Sequence, residues 1–356
     1  MRYKVGMYGG SFNPLHMGHL DCIIRAANMC ERLFVVLSVG VHRDEIDSRV
    51  RYRWLYRLTS HIGNVKIIML EDPAGTKADY TEDYWQADAD VVKEQVGEKI
   101  DVVFCGSDYD ENSFWNKCYP ESELYIFPRN EISSTEIRKN PFAHWDWLPN
   151  IVRPYYTKKV LLMGGESVGK STLTINLANR FNGAYIDEAG RDISARSGTD
   201  LLMLSEDFTE ILLQHKLNEI KAMEQGSKVL FIDTDALVTQ FYMNFLEDPQ
   251  IERNKALSDA IDALNTYDLI LFLEPDVKFV QDGDRSEVIH ADREKYSAQI
   301  KDLLRAHGRN FVTVSGDYQT RYEAAVNAVE EMLNGALPQT PSANPGFHPR
   351  PHQGNF

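Results

Sequence analysis

A chain of 356 residues, 43% hydrophobic and 26% charged, has the make-up of a soluble globular protein and the length for two domains. Its net charge of −15 argues against nucleic-acid binding through general electrostatics, so anionic ligands would be held by local basic groups and metal ions. No apolar run approaches membrane-spanning length, no signal peptide opens the chain, and Cys22, Cys30, Cys105 and Cys118 show neither metal-binding nor disulfide spacing. A cytoplasmic protein with reduced thiols and no membrane or nucleic-acid partner is expected.

Residues 3–8 read as a short apolar strand that runs into Gly9–His19. A helix follows with Leu20, Ile23, Ile24 and Ala27 on its buried face. Leu33–Val39 is an unbroken apolar run that suits a parallel strand covered on both sides. Further strands are expected at Val65–Leu70 and Asp101–Cys105, with helices around Val50–Ser60 and Tyr84–Val96. Strands alternating with helices predict a doubly wound α/β sheet with ligands at the strand C-termini.

The stretch Gly10–His19 reads G-x-F-x-P-x-H-x-G-H. His16 and His19 lie three apart as a helix starts, so both can face one side. Imidazole donors there, with the helix N-terminal N–H groups, would stabilise charge developing on a phosphate. Gly18 would let a nucleotide approach the backbone. The pattern resembles the nucleotidylyltransferase superfamily, whose signature is (H/T)-x-G-H at the first strand–helix turn and whose histidines contact ATP phosphates. Ile132–Arg138 resembles the I-S-S-T-x-[IV]-R motif of the same superfamily. By that resemblance Gly10, Phe12, Gly18, Ser133, Ser134 and Thr135 bind ATP, with His16, His19 and Arg138 catalytic. Ser133 or Ser134 would cap a helix and bond phosphate oxygens, and Arg138 would pair with the β/γ-phosphates. Gly106–Tyr109 follows a strand where family members contact adenosine, which adds Gly106 to the ATP site.

Two features stay open. Arg49, Arg51, Arg53 and Arg57 cluster around Trp54 and bind a substrate phosphate or form the solvated face of a helix. Trp85 stacks on a substrate ring or is a core aromatic. Pro141–Pro154 holds three prolines and several large aromatics. It is too apolar for a flexible tether and predicts an ordered connector packed between domains, with the boundary near Tyr155.

Gly164–Ser171 reads G-x-x-x-x-G-K-[ST], the P-loop pattern, preceded by the apolar run Val160–Met163 and followed by helical spacing. Its glycines allow successive N–H groups to curl around a phosphate, and the next helix points its positive end there. Gly164, Gly165, Glu166, Ser167, Val168, Gly169 and Thr172 would line the ATP site. Lys170 would reach the β/γ oxygens and the Ser171 hydroxyl would hold Mg²⁺. Lys228–Asp235 reads as a buried strand ending in two carboxylates. Asp233 is placed to hold the metal, while Asp235 orients or deprotonates a substrate hydroxyl. Phe208, Ile211, Leu212 and His215 fall at helix spacing, with His215 structural. Asp268–Leu273 and Asn310–Val314 read as further strands and Tyr322–Leu333 as the last helix. Arg285 is the expected lid arginine over the γ-phosphoryl, with Arg293, which follows on a polar helical stretch, as a second candidate. The Pro/Gly/Asn/His-rich tail at 336–356 is expected to be disordered.

Two nucleotide sites on one chain, in this order, resemble the bifunctional NadR family: a nicotinamide-mononucleotide adenylyltransferase fused to a ribosylnicotinamide kinase. Trp147-Leu-Pro-x-x-x-Arg-Pro-Tyr-Tyr156 leading into Gly164-Gly-Glu-Ser167, and the Phe231–Asp235 strand, carry the resemblance. It implies a nucleotidylyltransferase domain at 1–154 and a P-loop kinase domain at 155–335, both doubly wound parallel sheets. It implies ATP as co-substrate, Mg²⁺, and a nucleoside near Glu188 and Arg191. Phosphorylation of nicotinamide riboside to its mononucleotide and adenylylation of that mononucleotide to NAD are the expected reactions. A homo-oligomer is compatible with the sequence. The first strand begins at Tyr3, so the helix-turn-helix that precedes these domains in some members is not expected here. Some members have Gly-Lys-Phe where this chain has Gly10-Ser11-Phe12, which removes a lysine contact to phosphate.

Overall fold

The computed structural model describes residues 2–335 apart from 44, 75–78, 80, 107–112, 129–130, 198–201 and 281–286. Arg285, the segment 107–109 and the tail 336–356 lie outside the described residues. The chain divides into two compact units, Met1–Tyr155 and Tyr156–Phe356.

In the first unit the strands are β1 (Tyr3–Gly10), β2 (Cys30–Gly40), β3 (Val65–Asp72), β4 (Val102–Gly106) and β5 (Glu123–Phe127). They form one parallel sheet in the order β3-β2-β1-β4-β5. The helices are α1 (Met17–Met29), α2 (Ser48–Thr59), α3 (Glu82–Val96), α4 (Phe114–Cys118) and α5 (Ser134–Lys139). Val5 and Met7 of β1, Phe34 and Val36 of β2 and Val103 of β4 form one core with Ala89, Val92 and Val96 of α3. That alternation is the two-residue period of a strand meeting the face of a helix. Helix α3 has clear limits. The Thr81 hydroxyl accepts from the Tyr84 N–H at 3.3 Å, and Gly97 ends the helix at φ 70 with its N–H on the Lys93 carbonyl.

The proline- and aromatic-rich stretch belongs to this unit. It forms 3-10 turns at Trp145–Trp147 and Arg153–Tyr155 and buries Trp145, Leu148 and Val152. Arg153 Nε donates to the Leu148 carbonyl at 3.1 Å, so the segment is ordered by its own side chains.

The second unit contains β6 (Lys158–Gly164), α6 (Lys170–Phe181), β7 (Ala184–Ile186), α7 (Ala189–Ser197), α8 (Ser205–Met223), β8 (Val229–Asp233) and α9 (Ala236–Phe245). It continues with α10 (Ile251–Leu264), β9 (Leu269–Leu273), α11 (Glu287–Ala291), α12 (Arg293–Ala306), β10 (Val312–Val314) and α13 (Tyr318–Leu333). Its parallel sheet runs β10-β9-β6-β8-β7. Val160 and Leu162 of β6 pack with residues of α6 and α13 on one face. Leu161 and Met163 pack with residues of α8, α9 and α12 on the other. Strands covered on both faces explain the unbroken apolar runs of β6, β8 and β9.

One strand is shorter than its sequence suggests. β8 ends at Asp233, not Asp235. Thr234 turns out at φ 62, its N–H making a last sheet bond to the Leu162 carbonyl at 3.1 Å. The second carboxylate therefore starts α9 instead of ending the strand.

Candidate active sites

In the first sheet the strand order reverses between β1 and β4, and such a switch point opens a crevice at the strand C-termini. Gly10 and Gly106 end these two strands. A Cβ on Gly9 would lie 3.0 Å from the Trp115 ring, and one on Gly10 3.3 Å from the Phe12 ring. The turn after β1 is therefore packed against aromatic faces. Phe12 holds φ 48 with its ring fully buried.

His16 is the N-cap of α1, its Nδ1 accepting from the His19 N–H at 3.2 Å. The two imidazoles stack with centroids 3.6 Å apart at 13°, and the His19 ring meets the Phe12 ring edge-on at 5.1 Å. Burial lowers the His16 pKa to about 4. Burial, then the charge of His16, holds His19 well below the usual imidazole range. Both rings are neutral near pH 7. With Nδ1 of His16 accepting, its proton sits on Nε2, which is a donor.

The segment Ile132–Arg138 returns to this turn from about 120 residues away. Ser134 Oγ donates to the Pro14 carbonyl at 3.2 Å, and Arg138 Nη1 donates to the Asn13 carbonyl. Arg138 Nη2 also bonds Thr135 Oγ1 at 3.3 Å. The two motifs thus meet. Ser133 occupies the N-cap position of α5, but its side chain makes no cap bond. The expected cap bond is not made there, and Ser134 spends its hydroxyl on Pro14.

The arginine cluster separates. Arg49 pairs with Asp47 at 2.7 Å at the start of α2, exposed to solvent. Arg51 is 1% exposed. It donates to the carbonyls of Ser11 at 2.5 Å, Ile46 at 2.7 Å and Ser38 at 3.1 Å, and pairs with Glu45 at 2.9 Å. It braces the Gly10–Ser11 turn from beneath, and burial lowers its pKa. The available signal was helical spacing: Arg51 shares a face with the buried Trp54, Leu55 and Thr59. Trp85 is half-buried and stacks on Phe114 at 5.4 Å and 11°, with its edge to Trp115. One of its faces is thus already covered by protein.

In the second unit, Leu162 of β6 pairs with Asp233 of β8, and Gly164 pairs with Leu273 of β9. Gly164 has φ 146, and a Cβ there would lie 2.7 Å from the Leu273 carbonyl oxygen, so glycine is required. Ser167 at φ 55 and Gly169 at φ 86 complete the loop's curl. Lys170 Nζ donates to the Gly165 carbonyl at 2.8 Å across the loop. Arg191 Nη2 donates to Ser171 Oγ at 3.3 Å and lies 4.0 Å from Glu188.

Three side chains that sequence reasoning missed or misplaced hold the loop from outside. Arg321, 2% exposed, donates to the carbonyls of Val168 at 2.7 Å and Glu274 at 2.6 Å. It sits on the buried face of α13 with Ala325, Ala328, Val329 and Met332, a charge on an apolar stripe that the sequence does display. Arg293 donates to the Val277 carbonyl at 2.7 Å and the Ser167 carbonyl at 3.3 Å, which engages the guanidinium that the sequence offered as a second lid group. Tyr242 OH donates to Glu166 Oε1 at 3.0 Å.

A cavity of about 230 Å³ opens beside the loop. Glu166–Thr172, Glu188, Arg191 and Asp235 line its polar side, while Met203, Phe208, Ile211, Val238, Tyr242 and Leu246 line an apolar side. Both oxygens of Asp233 are buried without a hydrogen-bond partner. Burial, then Glu188, raises its pKa to about 6, while Lys170 and the nearby Ser171 hydroxyl ease the charge. Ser171 is thus close, though no bond of ordinary geometry joins the two. Asp235 caps α9, its Oδ1 accepting from the Leu237 N–H at 3.0 Å, while its Oδ2 is buried and unpartnered. Burial, then Asp262, raises its pKa to about 6. Among the described residues no three His, Cys, Asp or Glu side chains gather as a metal site, and no helix is long and apolar enough to cross a membrane.

The cytidylyltransferase-like family profile matches residues 7–140, and the AAA domain profile matches residues 159–321. The trifunctional NAD biosynthesis/regulator protein NadR of Escherichia coli (strain K12) is 30% identical over 345 residues, covering 92% of this chain and 83% of that protein. The NadR protein of Salmonella typhimurium (strain LT2) is 29% identical over 346 residues, covering 93% of this chain and 83% of that protein. A crystal structure of NadR protein in complex with NR superposes with a TM-score of 0.77 at 23% identity, covering 93% of this chain and 96% of that one, and has the same fold. The chain belongs to the NadR family of NAD biosynthesis proteins.

Proposed function

We propose that this chain is a bifunctional NAD salvage enzyme. The second unit phosphorylates nicotinamide riboside with ATP, and the first joins the resulting mononucleotide to AMP from a second ATP, giving NAD and pyrophosphate. The observation that carries this reading is two complete phosphate-binding turns on one chain, each at the C-terminal edge of its own parallel sheet. They occur in a chain whose family makes NAD.

In the kinase unit the P-loop N–H groups and the start of α6 cradle the phosphates of ATP. Lys170 exchanges the Gly165 carbonyl for β/γ-phosphate oxygens. Mg²⁺ fits the donors present: the Ser171 hydroxyl and the partnerless Asp233 carboxylate would hold it, with phosphate oxygens and water completing the shell. When bound, the ion neutralises charge on the phosphates. Asp235 offers its unpartnered Oδ2 to the attacking 5′-hydroxyl, orienting it and drawing off its proton. Glu188 and Arg191 flank the sugar. The apolar side of the cavity takes the flat pyridine ring.

In the adenylyltransferase unit the mononucleotide phosphate attacks the α-phosphorus of ATP in line, and pyrophosphate leaves. Neutral His16 and His19, with the first N–H groups of α1, donate to the α-phosphate oxygens as charge builds. Ser134, Thr135 and Arg138 shape the wall on which the β/γ-phosphates rest, with Ser133 at its edge. Gly10, Phe12, Gly18 and Gly106 keep the floor narrow enough for the nucleotide. No covalent enzyme intermediate forms, so catalysis is positioning and charge stabilisation.

Stoichiometry tests the reading. Purified protein given nicotinamide riboside and excess ATP should release one ADP and one pyrophosphate for each NAD formed. NAD formed without ADP, or ADP formed without any mononucleotide or NAD, would contradict it.

A further inference from the structure

We infer that His215 is a specificity residue of the kinase cavity, hydrogen-bonding a ring hydroxyl of the ribosyl acceptor. The inference rests on the kinase reading above. Three observations carry it. His215 is 6% exposed and lines the same cavity as the P-loop and Asp235. Its Nε2 is buried with no hydrogen-bond partner. It is also the polar end of a helical face: Ile211 and Phe208 of α8 line the cavity one and two turns before it.

The chemistry follows from what the ring lacks. A buried ring nitrogen without a partner is costly whether it would donate or accept, and a hydroxyl can meet it in either role. Among the described residues, Asp235 Oδ2 is a second unmet polar atom of the cavity lining. Two unmet polar atoms beside one cavity call for a ligand rich in O–H groups, which a ribosyl ring supplies and a deoxyribosyl ring supplies less well. With the 5′-hydroxyl assigned to Asp235, the 2′- or 3′-hydroxyl is left for His215.

The test compares nicotinamide riboside with its 2′-deoxy and 3′-deoxy analogues, using wild-type protein, His215→Phe and His215→Gln, with ADP release as readout. Wild type should prefer the riboside over one of the analogues by about ten- to a hundredfold in kcat/KM. His215→Phe should bring that preference to within about twofold, through KM for the riboside, with KM for ATP unchanged. His215→Gln, which keeps a hydrogen-bonding side chain, should restore part of it. A merely structural histidine would lower all three substrates together. A second readout needs no variant: riboside alone should shift the ¹⁵N resonance of His215 Nε2 in wild-type protein, and the discriminated analogue should not. A His215→Phe enzyme that keeps full discrimination, or an Nε2 resonance that riboside leaves unmoved, overturns the inference alone. A wild type that phosphorylates no riboside overturns the kinase reading and this inference with it.

Discussion

The two units solve the same problem, holding a nucleoside triphosphate against a parallel sheet, with different materials. In the second unit the phosphate cradle is one continuous run, Gly164–Ser171, and its fixed cation is Lys170. In the first unit the cradle is assembled from distant pieces: a turn after β1, the return of α5 onto Asn13 and Pro14, and a buried arginine beneath Ser11. The groups proposed to meet phosphate there are two stacked neutral rings. A local cradle depends on backbone conformation, and its decisive residue is a glycine that no side chain can replace. An assembled cradle depends on long-range hydrogen bonds, and its decisive residue is one that the ligand never touches.

Removing Arg51 should break the assembled site most severely. Arg51→Met leaves Glu45 and the carbonyls of Ser11, Ser38 and Ile46 without their partner in a buried place. Breaking such a pair costs roughly 3–5 kcal/mol. All five tryptophans, Trp54, Trp85, Trp115, Trp145 and Trp147, lie in the first unit, so their fluorescence in a urea titration reports that unit alone. The tryptophan midpoint should fall sharply and adenylyl transfer should vanish, while ADP release from nicotinamide riboside persists.

The pH response sharpens the contrast. Asp233 and Asp235 have pKa values raised to about 6 by burial, and the proposed mechanism needs both ionised, one to hold a cation and one to accept a proton. The kinase kcat/KM should therefore fall as pH drops through 6, by up to about a hundredfold per unit, because two ionisations are lost together. His16 is held at about 4 and His19 well below the usual imidazole range, so both stay neutral near pH 7, and adenylyl-transfer kcat/KM should stay nearly level between about pH 8 and 6. The stability linkage runs in opposite directions. His16, lowered on folding, withdraws stability from its unit as pH falls from about 6.5 toward 4, because the unfolded chain binds the proton more readily. The two raised carboxylates favour the folded state as they take up protons below 6. Separate pH profiles of ADP and pyrophosphate release would expose a common dependence if this account were wrong.

The smallest effect expected is at Ser133, which makes no cap bond. Ser133→Ala should change adenylyl transfer by no more than a few-fold. Ser134→Ala, which frees the Pro14 carbonyl, should cost more in the same assay.

This contrast also explains what the sequence made legible. The P-loop could be read because its fixed residues are adjacent and its flanks have strand and helix periodicity. The strands Leu33–Val39 and Asp268–Leu273 could be read for the same reason, being apolar throughout. The edge strand β5 and the five-residue α4 were not anticipated. β5 is short and only half-covered, so its pattern carries little signal, and α4 holds a single buried residue. Arg51 could be read only as one of four arginines that bind a phosphate or face solvent, because its partners come from positions 11, 38, 45 and 46, which only folding brings together. His215 looked structural because a histidine on an apolar helix face usually is, and an unpartnered ring nitrogen is visible only once its neighbours are placed. Asp235 reads as a strand-end acid in the sequence, yet one left-handed residue, Thr234, makes it a helix cap with one free oxygen.

The central claim is that the two cradles act independently and in series. The most direct measurement is chromatography of the products formed from nicotinamide riboside and from its mononucleotide by wild type, Lys170→Ala and His16→Ala. The account predicts that Lys170→Ala leaves the riboside untouched but converts added mononucleotide to NAD at close to the wild-type rate. It predicts that His16→Ala consumes the riboside and accumulates mononucleotide. If Lys170→Ala still phosphorylates the riboside, or His16→Ala still makes NAD as fast as wild type, the assignment of one reaction to each cradle is contradicted.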